Sequence, residues 1–216
     1  MRAKLVAEAV GSFFLFATVV GSGIMAERLA GGNVAVALLG NSIATGAMLF
    51  VLISMLGPIS GAHFNPAVSL VMWRRKELTG KLLLAFVAVQ LAAGVSGVWA
   101  THLMFDMPIL QFSGKARTGV GQWTGEFIAT FGLLLTILGT ARHRPAAIPA
   151  SVALYITAAY WFTSSTSFAN PAITVARSLS DSFAGIAPLD VGGFIVAQLA
   201  GAICALVAAK LLFPPD

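Results

Sequence analysis

Two short stretches, each containing Asn-Pro-Ala, constrain this chain more than any other feature. The first is Ser60-Gly61-Ala62-His63-Phe64-Asn65-Pro66-Ala67-Val68 and the second is Ser167-Phe168-Ala169-Asn170-Pro171-Ala172-Ile173. An Asn side-chain oxygen caps a helix by accepting a first-turn N–H that has no partner inside the helix. Proline fits the first helical position, where its missing N–H costs nothing. A helix is therefore expected to start at Asn65 and another at Asn170. The first meets Trp73-Arg74-Arg75-Lys76 after about eight residues, roughly 12 Å, less than half of a ~30 Å hydrocarbon core. Two half-length helices at 65–73 and 170–179 need a longer framework to hold them.

The rest of the chain supplies it. Of 216 residues, 58% are hydrophobic and 10% charged, with mean hydropathy +0.90, well outside the range of soluble domains. Six apolar segments, at about 5–26, 34–56, 82–104, 122–141, 147–163 and 191–213, approach the ~20 residues of a spanning helix. The expected class is an all-α membrane protein with six transmembrane helices, two re-entrant half-helices and no separate soluble domain, a single unit over 1–216. Met1-Arg2-Ala3-Lys4 and the run after it imitate a secretory signal, but the run is too long for one and has no clear cleavage site, so it is read as a retained first span. The net charge of +5 does not point to nucleic acid, because the basic residues gather at helix ends. The lone Cys204 excludes an intramolecular disulfide and is expected as a packed thiol.

The chain repeats internally. Glu8 in the first span answers Glu126 in the fourth, Asn65-Pro66-Ala67 answers Asn170-Pro171-Ala172, and Gln90 in the third span answers Gln198 in the sixth. With three spans in each half (about 1–104 and 122–213), the second half must be inverted relative to the first. With the N-terminus inside, nine basic residues fall on the cytoplasmic side and four outside, which places both termini in the cytoplasm. The stretch 105–121, with Lys115 and Arg117, becomes an external loop joining the halves. Inverted repeats with broken helices place a site near the midplane, where the two half-helices meet at their Asn-Pro-Ala ends.

Non-helical backbone at membrane depth must be buried in protein or line water. The loops 57–64 and 164–169 are thus expected to line a wet path, with carbonyl acceptors along it and Asn65 and Asn170 amides as donors at its centre. Each half-helix N-terminus carries roughly +0.5 charge, a barrier to protons and cations. The device should pass small neutral solutes and reject ions.

The paired motifs within a three-plus-three inverted repeat resemble the aquaporin and aquaglyceroporin family, over essentially the whole chain. The resemblance implies a central constriction at Asn65, Pro66, Ala67, Asn170, Pro171 and Ala172. It also implies that Glu8 and Glu126 brace the re-entrant loops, and that the chain forms a homotetramer with one pore per subunit; Gln90 and Gln198 are read as making interhelical or loop-bracing hydrogen bonds, with solute contact the alternative. By the family's spacing the selectivity filter falls at Thr45, Ala158, Ser167 and Ile173. The family usually places an arginine where this chain has Ile173; the nearest is Arg177, expected at the outer mouth beside Asp181. A filter of small side chains without a fixed charge resembles bacterial aquaglyceroporin-like channels found with arsenic-resistance genes. That resemblance implies polyols, neutral metalloid acids or methylated arsenicals as solutes, and a bacterial inner membrane as the setting.

The remaining polar residues have plainer readings. His143 is read as a solvated loop histidine, His102 as resting in the interface, and His63 as contributing backbone and packing. Tyr160-Trp161-Phe162 is read as an interfacial aromatic cluster, leaving open one ring turned to the pore. Gly11, Gly46, Gly94 and Gly201 suit close helix crossings. No nucleophile–base pair, phosphate loop or metal-ligand cluster stands out, so neither an enzyme nor a cofactor is expected. A water-selective channel and, from another class, an alternating-access transporter are the competing functions.

Overall fold

The computed structural model describes residues 1–213. These form eight α-helices: α1 (Arg2–Leu29), α2 (Val34–Ser60), α3 (Pro66–Arg74), α4 (Gly80–Met104), α5 (Val120–His143), α6 (Ile148–Phe162), α7 (Pro171–Arg177) and α8 (Val191–Leu212). Short 3-10 turns at Pro145–Ala147 and Pro188–Asp190 lead into α6 and α8. Six of the helices, α6 counted together with its leading turn, are long and apolar enough to cross a membrane. Helix starts follow local chemistry. Asn33 Oδ1 accepts from Ala35 and Val36 N–H at 3.1 Å, and Thr79 Oγ1 accepts from Leu82 N–H at 3.3 Å.

The two halves pack alike. Helix α1 lies on α4 and α2, α5 lies on α8 and α6, and α2 meets α6 across the join. Small residues let the first pair in each half come close. A Cβ at Gly97 would overlap the Phe13 carbonyl, and one at Gly201 would overlap the Phe127 carbonyl. Only a hydrogen fits at these crossings, where packing rather than water exclusion holds helices together. Gly11 and Gly94 similarly take the Phe64 and Phe16 rings.

Two boundaries and the burial of one residue differ from the expectation. Helix α2 continues through Pro58 to Ser60, so the first re-entrant loop is Gly61–Phe64 and not 57–64. Proline removes one helix donor without ending this helix; the chain turns out at Gly61, with φ +93°, whose N–H still bonds Gly57 O at 2.9 Å. Helix α7 ends at Arg177, short of 179, because Ser178, Leu179 and Ser180 tighten into i→i+3 turns. Cys204 is exposed on α8 and not packed inside, on a face turned outward with Ile203 and Val207.

The connection between α4 and α5 is tied down. Ser113 N–H donates to Ser178 O at 3.0 Å and Ala187 N–H donates to Lys115 O at 2.7 Å. Asp181 Oδ1 accepts from Gly114 N–H at 3.0 Å, and Asp190 Oδ2 accepts from Arg117 N–H at 2.7 Å. His102 is fully buried, not interfacial; its Nδ1 bonds Ile109 O and its Nε2 pairs with Ser180 Oγ, both at 3.0 Å. The loop therefore lies strapped over the segment that follows α7.

Candidate functional site: a pore between crossed half-helices

Helices α3 and α7 meet end to end through their caps. Asn65 Oδ1 accepts from Ala67 N–H at 2.9 Å, and Asn170 Oδ1 accepts from Ala172 N–H at 3.0 Å and Ile173 N–H at 3.3 Å. The amide nitrogens cross over. Asn65 Nδ2 donates to Ala169 O at 2.7 Å and Asn170 Nδ2 donates to Phe64 O at 2.8 Å. Each amide has two N–H donors, and one from each remains for a solute. Pro66 and Pro171 open the helices, and Ala67 and Ala172, fully buried behind them, leave room for the approach.

The loops ahead of the caps are strained in the same way. Ala62 and Ser167 both have φ +50°, and Phe64 and Ala169 both have φ +48°. A left-handed non-glycine residue costs about 1–3 kcal/mol and persists only when its surroundings over-determine it. The buried carboxylates do so. Glu8 accepts from Ser60 Oγ (2.7 Å), His63 N–H (2.9 Å), Phe64 N–H (2.7 Å) and Gln90 Nε2 (2.8 Å). Glu126 accepts from Phe168 N–H (2.8 Å), Ala169 N–H (2.9 Å) and Gln198 Nε2 (2.5 Å). Gln90 also donates to Ser69 Oγ and Gln198 to Thr174 Oγ1, at 3.1 and 2.9 Å. Ser60, Ser69 and Thr174 were not singled out from sequence. The matched places of Ser69 and Thr174, four residues past each Asn, were the available signal.

A cavity of about 260 Å³ runs past these groups. Its lining extends from Tyr160 and Arg177 at one end, past Asn65 and Asn170, to Met72, Glu77 and Ile148 at the other. Leu49, Ile53, Val152 and Ile156 give it apolar walls. The carbonyls of Gly61, Ala62 and His63 and of Ser167 and Phe168 accept no hydrogen bond from the described residues, and all five residues line the cavity. A path with apolar walls, a row of free acceptors and two donors at its centre can carry a small hydrogen-bonding solute in single file. His63 adds its ring to the lining while Nδ1 bonds Ser69 Oγ at 3.0 Å.

Residues 1–164 match the family model described as Major intrinsic protein. The chain belongs to the major intrinsic protein family. It is 53% identical over 212 residues to Aquaglyceroporin AqpS of Rhizobium meliloti (strain 1021), covering 98% of this chain and 91% of that one. It is 34% identical over 140 residues to Nodulin-26 of Glycine max, covering 64% of this chain and 51% of that protein. The X-ray structure of the aquaglyceroporin from Plasmodium falciparum superposes with TM-score 0.75 at 18% identity, covering 99% of this chain and 97% of that one. Major intrinsic proteins are membrane channels and not enzymes, so the chain is a multi-pass channel protein for small solutes.

Within this major intrinsic protein, the end of the cavity at Tyr160 and Arg177 differs from the filter read off the sequence. Thr45, Ser167 and Ile173 line it, but Ala158 does not. Ala158 is exposed on the outer face of α6, whereas Val152, Ile156 and Tyr160 share the inner stripe. Positions two apart on a helix are about 200° apart, so counting by family spacing selected the wrong face. Tyr160 lines the cavity there, only 3% exposed, with its hydroxyl 3.2 Å from Thr45 Oγ1. Trp161 turns away and donates from Nε1 to Ser42 Oγ at 3.1 Å.

Arg177 is a second correction. It is 2% exposed and lines the cavity, with Cζ 3.3 Å from the Phe168 ring centroid and Nε donating to Ala184 O. It does not pair with Asp181, whose carboxylate is taken by the Gly114 amide. One helical turn past Ile173 carries Arg177 inward because the strapped segment 178–190 presents the Ala184 carbonyl to it. Arg117 reaches in from the strap as well. Its Nε donates to Gly185 O at 2.8 Å, its Nη1 to Ser165 O at 3.1 Å, and its Cζ lies 5.0 Å from the same Phe168 ring. Burial lowers the Arg117 pKa to about 10, which leaves it charged at neutral pH.

Proposed function

We propose that the chain is a passive channel for small uncharged solutes, among them polyols, neutral metalloid acids or methylated arsenicals, and water. Its filter comprises Thr45, Tyr160, Ser167, Ile173 and Arg177, and its central constriction is formed by Asn65 and Asn170 with Pro66, Ala67, Pro171 and Ala172. Glu8, Glu126, Gln90 and Gln198 brace the two loops. The observation that carries this reading is the crossed amide pair set within one cavity that continues from Tyr160 to Ile148. The 53% identity to Aquaglyceroporin AqpS supports a solute range wider than water. Ile173 supports it too, since it takes no part in hydrogen bonding to a solute and leaves the first turn of α7 apolar. The channel assembles as a homotetramer in a bacterial inner membrane with both termini cytoplasmic, as a single domain over 1–216.

Arg177 and Tyr160 narrow the outer pore beyond the small-residue set, and this favours a second reading, a water-selective channel. An alternating-access transporter fits less well, because Glu8 accepts four hydrogen bonds and Glu126 three, from loop backbone and neighbouring side chains, which commits both carboxylates to bracing the loops. Purified protein in liposomes tests all three. Stopped-flow measurement should give flux for water, glycerol, urea and neutral arsenous acid that is linear in gradient and insensitive to pH. Water flux alone would establish the second reading, and proton-driven accumulation the third.

A further inference from the structure

Arg177 is buried, and neither it nor Arg117 is ion-paired with a carboxylate among the described residues. The nearby acids are engaged elsewhere: Glu126 by Phe168 N–H, Ala169 N–H and Gln198, Asp181 by the Gly114 amide, and Asp190 by the Arg117 backbone amide. Lys115, on the strap just outside, has its pKa lowered by burial and further by Arg117 and Arg177, against an opposite pull from Glu27. Ser167, next in sequence to the Phe168 that Arg177 covers, has a buried hydroxyl with no hydrogen-bond partner among the described residues, and it lines the same cavity. Both groups line the cavity and have donors free for a guest, and an anionic guest would take them by charge-assisted bonds stronger than those of water.

We propose that Arg177, Ser167, Thr45 and Tyr160 form an outer-pore binding site for a small monovalent oxyanion of the carboxylate class. Arg177 spends Nε on Ala184 O, and its Nη groups donate to no described residue. A planar two-oxygen anion matches the guanidinium donors, and charge-assisted bonds of this kind are the strong ones. Ser167 supplies a further donor, and the Thr45 and Tyr160 hydroxyls close the site at the side. Ile156 and Ile173 limit the guest to a short apolar tail. A divalent anion lacks its second partner, because Arg117 is committed to Gly185 O and Ser165 O and does not line the cavity. An anion lodged here obstructs neutral solutes. The inference rests on the channel reading only for access, since the anion enters by the pore mouth.

The test compares sodium formate with sodium gluconate, a carboxylate too large for the constriction, at pH 7.5 where both are ionised. Formate should raise the unfolding midpoint of detergent-purified protein by about 2–4 °C over gluconate. Arg177→Gln should abolish that rise. Ser167→Ala, a smaller change that keeps the fold if Arg177→Gln does not, should at least halve it. In liposomes formate should slow glycerol flux about twofold or more, and Arg177→Gln should remove the inhibition. No rise with formate, or an equal rise with gluconate, overturns the site, as does a full rise in both variants. If wild-type liposomes pass no glycerol, the channel reading fails, and the midpoint shift still decides the anion site alone.

Discussion

The Tyr160 hydroxyl lies 3.2 Å from Thr45 Oγ1, although 115 residues separate the two in the chain. The contact joins α2 of the first half to α6 of the second where both residues line the cavity. Tyr160→Ala should widen the filter and raise glycerol and urea flux at least ~3-fold over water flux. Tyr160→Phe keeps the ring and loses one hydrogen bond, worth about 1 kcal/mol, and should change selectivity little. Stopped-flow permeabilities at matched protein density check both. A wild-type solute profile in Tyr160→Ala would remove Tyr160 from the filter.

Ile173→Arg places a guanidinium one turn from Arg177 on the same face of α7, where like charges at i,i+4 repel. It also fills the space beside Ser167. Glycerol flux should fall about tenfold or more while water flux falls less. The same liposome assay reads the ratio, and an unchanged glycerol-to-water ratio would show that Ile173 does not bound the filter.

Glu8→Gln keeps the shape of the side chain but loses its charge and half of its acceptor capacity. The loop donors at His63 and Phe64 then face an amide that can itself donate. Removing charge-assisted bonds from a buried network costs about 1.5–3 kcal/mol each. The unfolding midpoint and folded yield in detergent should drop, with no new pH dependence of flux. Proton-coupled accumulation lost in Glu8→Gln but present in wild type would favour a transporter.

Gly97→Ala and Gly201→Ala each set a methyl against a backbone carbonyl, at Phe13 and Phe127. Neither carbonyl can move without separating α1 from α4 or α5 from α8, so both variants should reduce folded yield severely. Gly192→Ala, with open space around it, is the control and should behave as wild type in size-exclusion chromatography.

Topology is checked by cysteine labelling in a Cys204→Ser background, since Cys204 is itself exposed. Arg75→Cys and Ala116→Cys should react with an impermeant thiol reagent from opposite sides of the membrane. Labelling of both from one side would contradict the inverted halves.

The framework was legible because its signals are strong and local. Long apolar runs mark spans, and Asn followed by Pro marks a cap in either half, so α3 and α7 began at the expected places. The repeat of Glu, Asn and Gln tied distant segments together before any contact was known. The filter was less legible because it depends on which face of α6 looks inward and on how a loop folds back. Tyr160 and Ala158 differ by two residues, and only the packing of α6 against α2 distinguishes them. The inward turn of Arg177 depends on the Ala184 carbonyl, and Arg117 arrives from a loop whose path no periodicity encodes. The strap's own bonds run from Ser113 and Lys115 to Ser178 and Ala187, contacts with no local sequence signature.

The crossed amides have a consequence for biosynthesis. The acceptor of Asn65 Nδ2 is the Ala169 carbonyl, made 104 residues later. At about 5–20 residues per second, the ribosome leaves Asn65 without that partner for roughly five to twenty seconds. Throughout that interval the left-handed residues Ala62 and Phe64 have only Glu8 and its neighbours to hold them, all encoded in the first half. The second loop has no such wait, since Phe64 O is already present when Asn170 emerges. Two carboxylates in matching places in the finished channel thus carry unequal burdens during its assembly, and the nascent chain depends on Glu8 first.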